Sequence, residues 1–154
     1  MGSAGRPVQE RGGQNGPMTA VSLTNEQALA SMPFCGSIGV EFTLVGPDET
    51  RARLVWSPER CTIGGSIHGG ALMSLADGAG AVVAFLNLPV GATGTTTVSS
   101  ATNFLRAVRD GHVEAVSRPL HTGRTTIVVE TELHDAAGRL VGKVTQTQAV
   151  LRPT

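Results

Sequence analysis

The chain has 154 residues, a formal net charge of zero at pH 7 and only 16% charged residues. This length suits one domain with a sizeable core, and the charge balance excludes a basic field that could hold a nucleic acid or an anionic membrane. The two cysteines, Cys35 and Cys61, form no CxxC pair and lie at no metal-ligand spacing from a histidine. We therefore expect two free thiols, no metal site and no cofactor.

The beginning of the chain differs in composition from the rest. Residues 1–20 are glycine-rich, polar and aperiodic, which predicts a disordered tail, and residues 21–154 are expected to form a single domain. The sequence contains no apolar run that reaches the length of a membrane span, and the N-terminus lacks the hydrophobic middle of a signal peptide. A cytoplasmic location is the resulting expectation.

The first structural elements are a short helix and two strands. Thr24 and Gln27 form a capping-box pattern and Pro33 ends the segment, so a helix is predicted over residues 25–32. Alternating apolar residues then predict two strands over residues 38–44 and 51–56. The Gly-Pro-Asp-Glu turn between them indicates that the two strands are antiparallel.

A long apolar helix is predicted next, over residues 68–86, because its leucines, alanines and valines recur at helical spacing until Pro89. Its other positions are also apolar or small, so this helix should be covered on several sides. Four further strands are predicted, over residues 95–105, 112–120, 125–133 and 140–151. With no second long helix, the order favours an α+β fold in which a curved antiparallel sheet of five to six strands wraps the central helix.

Asp77 is the only charged residue in this helix. It can be a structural residue that a neighbouring hydroxyl or amide satisfies, or it can be functional. Its neighbours three and four positions away are Met73, Ser74, Gly80 and Ala81, which are mostly small and would let another surface approach closely. We therefore expect Asp77 to lie on a contact face.

Two glycines, Gly69 and Gly70, fall in the first turn of the same helix. Backbone N–H groups there have no intrahelical partner, and glycine leaves them open to a ligand, so they can bind an oxyanion; close packing is the alternative reason for glycine. Gly69 and Asp77 are separated by about 12 Å along a helix, too far to act on one atom. A two-fold dimer with antiparallel central helices would bring Asp77 of one subunit to Gly69 of the other.

Several motifs together identify a family resemblance. They are the HGG at residues 68–70, the Asp nine residues after the His, TTVSSATNFLRA at residues 96–107, and the segment at residues 121–147. In this order they resemble the hotdog-fold acyl-CoA thioesterases of the PaaI type, over residues 34–151. The resemblance implies a hotdog fold and hydrolysis of an acyl-CoA or aryl-CoA thioester without a cofactor. It also implies a homodimer at minimum, commonly paired into a homotetramer.

The resemblance also implies roles for individual residues. Asp77 would act as nucleophile or as general base on water, Gly69 would donate its amide to the thioester oxygen, and Thr97 would orient the water or the carboxylate. His68 would be chiefly a positioning residue in the catalytic group. Thr62 stands where several relatives carry an Asn or Gln that assists the oxyanion, so a second donor is not assured. The residues expected to bind substrate and the CoA arm are Gly70, Met73, Arg106, Gly123 and Arg124.

Two other functions remain open at this stage. A hydroxyacyl dehydratase on the same fold is the less favoured enzyme, because the sequence offers neither a proline-rich loop nor a His and Glu arranged for elimination. A non-catalytic acyl-CoA-binding dimer, acting as a ligand sensor or partner protein, is the alternative of a different class. We expect the depth of the substrate pocket to depend on Phe34, Trp56 and Met73.

Overall fold

A computed structural model describes residues 22–153, so the tail predicted over residues 1–20 lies outside the described residues. The described part contains three α-helices, a short 3₁₀ turn at Pro58–Arg60 and six strands. The helices are α1 (Asn25–Ala30), α2 (Pro33–Ser37) and α3 (Gly69–Leu86). The strands are β1 (Val40–Leu44), β2 (Thr50–Val55), β3 (Gly94–Phe104), β4 (His112–Thr122), β5 (Thr126–Asp135) and β6 (Leu140–Leu151).

The six strands form one antiparallel sheet in the order β1-β2-β4-β5-β6-β3. α3 packs on its inner face, against β2 to β6. Alternate residues of β5 are buried under the helix, among them Ile127, Val129 and Leu133, while their neighbours face outward. The predicted α+β arrangement, a sheet wrapped around one central helix, is therefore correct.

The predicted boundaries need two corrections before α3. The first helix ends at Ala30, and Pro33 begins α2 instead of only ending a helix, because a proline is well suited to the first turn. In β1, Val40 and Phe42 are buried as the alternation predicts, but Leu44 is 44% exposed. The pairing with β2 shifts register between Phe42 and Leu44, so the last side chain turns away from the core.

α3 begins at Gly69, with His68 as its N-cap, and ends at Leu86. Asn87 follows, and its Nδ2 donates to the carbonyl oxygen of Val83 at 2.8 Å. By length and composition this helix could cross a membrane, contrary to the expectation that no apolar run was long enough, and half of it is buried inside the fold. The burial against the sheet explains its apolar composition as that of a core helix.

β3 lies at the edge of the sheet. It pairs with β6 on one side, and most of its eleven residues are exposed. Val98 is 61% exposed and Phe104 is 51% exposed. A long exposed edge with apolar side chains is a surface that proteins normally cover.

Candidate active site

Asp77 lies midway along α3, on the side that faces β3 and β6. Its Oδ1 accepts hydrogen bonds from Thr97 Oγ1 at 3.2 Å and from Gln146 Nε2 at 2.6 Å. Within residues 22–153, no group donates to Oδ2. The side chain is exposed in the single chain. The carboxylate is therefore held through Oδ1, and Oδ2 is left without a hydrogen-bond donor among the described residues.

A second layer of hydrogen bonds supports Thr97. Gln148 Nε2 donates to Thr97 Oγ1 at 2.7 Å, and Thr95 Oγ1 donates to Gln148 Oε1 at 3.0 Å. Because the amide fills one acceptor site of the Thr97 hydroxyl, the hydroxyl proton is available to Asp77. Thr97 thus lies within hydrogen-bond distance of the carboxylate, and its role in orienting that carboxylate stays a prediction. The register shift between Thr97 and Ser99 gives β3 a bulge beside this contact, a feature that commonly aims a side chain near an active site.

Sequence reasoning missed the two glutamines of β6. Gln146 and Gln148 are 0% and 1% exposed, although glutamine is rarely fully buried. They stand two residues apart, so both point to the inner face of the strand. The sequence does contain a signal for them. The inward positions of β6 include apolar Val144 and continue with two amides, where further apolar side chains would be expected.

The two glycine amides at the start of α3 differ. Gly70 N–H donates to His68 Nδ1 at 2.9 Å, so the capping imidazole occupies it. No acceptor within residues 22–153 takes the N–H of Gly69. Of the two amides predicted to be open, only that of Gly69 is free, at the positive end of the helix dipole. His68 thus caps α3 through Nδ1, and the positioning role expected for it stays a prediction.

Packing explains the small residues of α3 differently from the sequence expectation. A Cβ at Gly78 would come within 2.8 Å of Cys35 Sγ, and one at Gly80 would overlap the side-chain amide of Gln146. Both glycines are therefore needed by neighbours in the same chain. Met73, which is 40% exposed, and Ala81 remain on the open face beside Asp77.

The thiol of Cys35 lies close to this part of the helix. Burial raises the pKa of the Cys35 thiol, and the negative charge of Asp77 raises it further. Both effects keep the sulfur protonated, which makes it a poor nucleophile. Cys35, which is part of α2, therefore serves to pack α2 against α3.

Three cavities surround the ends and the open face of α3. One of about 350 Å³ lies one to two turns beyond Asp77 and is lined by Met32, Ala81, Val82, Phe85 and Thr95, among others. A second, of about 400 Å³, lies beside Gly69 and Arg106. The largest, of about 650 Å³, is lined by Phe34, His68, Gly70 and Ser74, among others.

The two predicted CoA-binding segments lie at opposite ends of the sheet. Arg106 lines the cavity beside Gly69, after the end of β3. Arg124 lies in the turn between β4 and β5, where its carbonyl oxygen accepts from Arg152 Nη2 at 3.3 Å. Arg152 Nη1 also donates to the carbonyl oxygen of Val90, four residues after the end of α3. Since β3 is about 33 Å long, Arg106 and the Gly123–Arg124 turn of one chain cannot hold the same phosphate.

The residues 61–67 form a small hairpin closed by a bridge between Cys61 and Ile67. Thr62 is exposed there, and its N–H donates to Ser66. Trp56 Nε1 donates to the carbonyl oxygen of Gly65 at 3.0 Å. Trp56, which was expected to influence pocket depth, braces this hairpin instead.

The helix wrapped by a six-stranded antiparallel sheet defines a hotdog fold, and solved thioesterases share it. A thioesterase from Haemophilus influenzae superposes with a TM-score of 0.79 at 25% identity, covering 86% of this chain and 94% of that chain. A mutant of the phenylacetic acid degradation protein PaaI from Thermus thermophilus superposes with a TM-score of 0.70 at 26% identity, covering 77% and 99%.

The amino-acid sequence gives the same result. Residues 64–142 match the family model described as the thioesterase superfamily, and the chain belongs to that family. The 1,4-dihydroxy-2-naphthoyl-CoA hydrolase of Escherichia coli is 28% identical over 131 residues, which are 85% of this chain and 96% of the relative. The resemblance to PaaI-type hotdog thioesterases is confirmed, and the relatives include thioester hydrolases.

Proposed function

We propose that this protein hydrolyses an acyl-CoA or aryl-CoA thioester to a free acid and CoA. The observation that carries the proposal is the carboxylate of Asp77, which is bound through Oδ1 to Thr97 and Gln146 and leaves Oδ2 open. A fixed carboxylate with one free oxygen is what a general base or a nucleophile needs. The family and the coenzyme A thioester named for the E. coli relative support this substrate class.

The second part of the site is the N–H of Gly69, which would bind the thioester oxygen as negative charge develops on it. Within one chain this amide and Asp77 are about 12 Å apart along α3. We propose that Gly69 of the partner subunit completes the site in a two-fold dimer. The open edge of β3, with its exposed apolar side chains, is the surface through which two copies would pair.

The reaction can follow either of two routes with the same products. As a general base, Asp77 takes a proton from water through Oδ2, the water oxygen bonds to the carbonyl carbon, and the C–S bond breaks to release CoA thiolate. The thiolate then takes up the proton. As a nucleophile, Oδ2 bonds to the carbonyl carbon and expels the thiolate, and water then hydrolyses the mixed anhydride.

The acyl group is proposed to occupy the cavity lined by Ala81, Val82 and Phe85. This cavity lies on the same helix as Asp77, one to two turns further along, and most of its lining is apolar, as an acyl or aryl group requires. Met73 lies one turn before Asp77, on the same open face, and is proposed to contact the substrate from the other side.

The CoA arm is proposed to lie between the subunits. If the β3 strands of two subunits pair antiparallel, the end of β3 in one subunit lies beside the start of β3 in the other. Arg106, just after the end of β3, would then lie on the same side as Gly123 and Arg124 of the other subunit. Arginines from two subunits could then reach one phosphate-bearing arm, for which their geometry is suited. Pairing of two dimers into a homotetramer and a cytoplasmic location belong to the same proposal.

The test is release of free thiol from a panel of aryl-, short-, medium- and long-chain acyl-CoA substrates. Replacing Asp77 with Asn should lower kcat by about 10²-fold or more, because the base or nucleophile is lost. The matched control is Asp48→Asn, the same change in the exposed turn before β2, which should retain the activity of the parent protein.

Full activity of the Asp77→Asn variant would refute the role of Asp77. The non-catalytic acyl-CoA-binding dimer would be favoured if the parent protein binds a substrate in the panel and releases no thiol from it. Calorimetric titration with a non-hydrolysable acyl-CoA thioether, measured beside the thiol assay, distinguishes these outcomes.

A further inference from the structure

The side chain of Gln146 has an unusual environment for an amide. It is fully buried in β6, and its Nε2 donates to Asp77 Oδ1 at 2.6 Å. Its Oε1 is also buried and has no hydrogen-bond partner within residues 22–153. A buried polar atom without a partner is destabilising, and an apolar side chain of similar size would avoid this cost. The retained amide therefore points to a role in its one contact, with Asp77.

Gly80 shows that the neighbouring helix is also adapted to this amide. A Cβ at Gly80 would overlap Oε1 of Gln146. Glycine inside a helix is less favourable than alanine, so α3 carries an unfavourable residue at the point where the amide reaches toward Asp77. Two buried positions, one in the strand and one in the helix, are arranged around a single hydrogen bond.

The second hydrogen bond to Asp77 reaches the same oxygen. Thr97 donates to Oδ1, and Gln148 orients the Thr97 hydroxyl from behind. With two donors on Oδ1, the carboxylate cannot rotate without losing both bonds. The carboxylate therefore has a fixed orientation, and Oδ2 is the oxygen left for a general base or a nucleophile to use.

We propose that Gln146 is a positioning residue for the thioester hydrolysis, acting together with the Gln148–Thr97 pair. It fixes Oδ1 of Asp77 and thereby presents Oδ2 to the reacting carbonyl or water. This role rests on the proposed function. Gln146 itself touches neither substrate nor the reacting atoms.

The first test compares Gln146→Met with Gln146→Glu. Methionine has similar size and no donor, so kcat should fall by about tenfold or more with little change in KM, because the carboxylate of Asp77 is no longer held in place. A glutamate at this position can donate to Asp77 only when it is protonated. The Gln146→Glu variant should therefore have low activity at neutral pH and recover relative to Gln146→Met as the pH falls.

The second test changes the helix and leaves the amide in place. Gly80→Ala should displace Gln146 and reproduce much of the loss seen in Gln146→Met. In a Gln146→Ala background the added methyl group has room, so Gly80→Ala should then have almost no further effect. Strong non-additivity in this double-mutant cycle is the expected signature of the contact.

Thr131→Val is the matched control. Thr131 is a fully buried sheet residue whose hydroxyl bonds to Ser117 Oγ at 2.7 Å, away from Asp77. This substitution should lower the melting temperature without changing kcat. If Gln146→Met behaves in the same way, with a lower melting temperature and parental kcat, Gln146 is only structural.

An NMR readout keeps this inference separate from the proposed function. The side-chain amide signals of Gln146 should differ between the parent protein and Asp77→Asn, whether or not any thioester is hydrolysed, and should be unchanged in Asp48→Asn. Amide signals that ignore the Asp77 substitution would overturn the inference. A parent protein that hydrolyses no thioester in the panel, with this difference in the amide signals intact, would overturn the proposed function alone.

Discussion

At the scale of single residues, the site is defined by what surrounds one carboxylate. Asp77 is neither a stranded core acid nor a freely solvated one, because Thr97 and Gln146 bind one of its oxygens and leave the other open. Thr97 in turn depends on Gln148. Since a hydrogen bond to a charged group is worth about 1.5–3 kcal/mol, the loss of one donor should be measurable in the rate.

Substitution of Thr97 tests the contribution of one donor, because Thr97 donates to Asp77 and accepts from Gln148. Thr97→Val keeps the shape of the side chain and removes the hydroxyl, so kcat should fall by about tenfold or more while KM changes little. Thr97→Ser retains the hydroxyl and is the control, with an expected rate near that of the parent protein. Equal rates for the Val and Ser variants in the thiol-release assay would show that the hydroxyl is unimportant.

Residue identities were only partly predictable from the sequence. Asp77 and Gly69 are candidates from the sequence because a lone acid and a glycine pair stand out in an apolar helix. Gln146 and Gln148 were missed because their importance depends on β6 lying beside β3 and beneath α3, a contact between residues 69 positions apart for Gln146 and Asp77. Periodicity along the chain does not encode such a pairing.

At the scale of elements, the start of α3 has a particular construction. His68 caps the helix and occupies the amide of Gly70, which leaves the amide of Gly69 as the free donor. His68 has φ −64° and ψ 137°, a conformation that also suits the residue before a proline. The first turn of a helix tolerates proline as well, so the N–H of Gly69 can be removed without breaking the helix.

Gly69→Pro should therefore lower kcat by about 10²- to 10³-fold, the loss expected for one oxyanion donor. Gly69→Ala is the matched control, because it keeps the N–H and adds a Cβ at the same place, 3.0 Å from the ring of Phe104. The two variants should unfold at similar temperatures. If both lose the same activity in the thiol-release assay, crowding of Phe104 and not the missing donor is responsible.

The elements themselves were largely predictable, since α3 and all six strands follow from apolar periodicity and turn residues. Their ends were less so, because they depend on neighbours: Leu44 leaves the core through a register shift, and Pro33 begins α2. The strand order was not predictable, because it is set by long-range pairing. That order puts β3 at the edge, beside Asp77.

At the scale of the whole molecule, one chain contains both halves of the proposed site but holds them apart. Asp77 and Gly69 are about 12 Å apart on a rigid helix, and Arg106 and Arg124 lie at opposite ends of the sheet. The edge strand β3 is long, exposed and apolar in places. A two-fold dimer through this edge resolves all three features, and the proposed activity therefore requires assembly.

Mixing of two inactive variants tests this central claim most directly. In a heterodimer of Asp77→Asn with Gly69→Pro, one of the two sites combines the intact Asp77 of one subunit with the intact Gly69 of the other. Equal amounts with complete exchange should restore about a quarter of the parental thiol release, since half of the dimers are mixed and each has one good site. No recovery, in a sample in which mass spectrometry shows mixed dimers, would contradict a site shared between subunits.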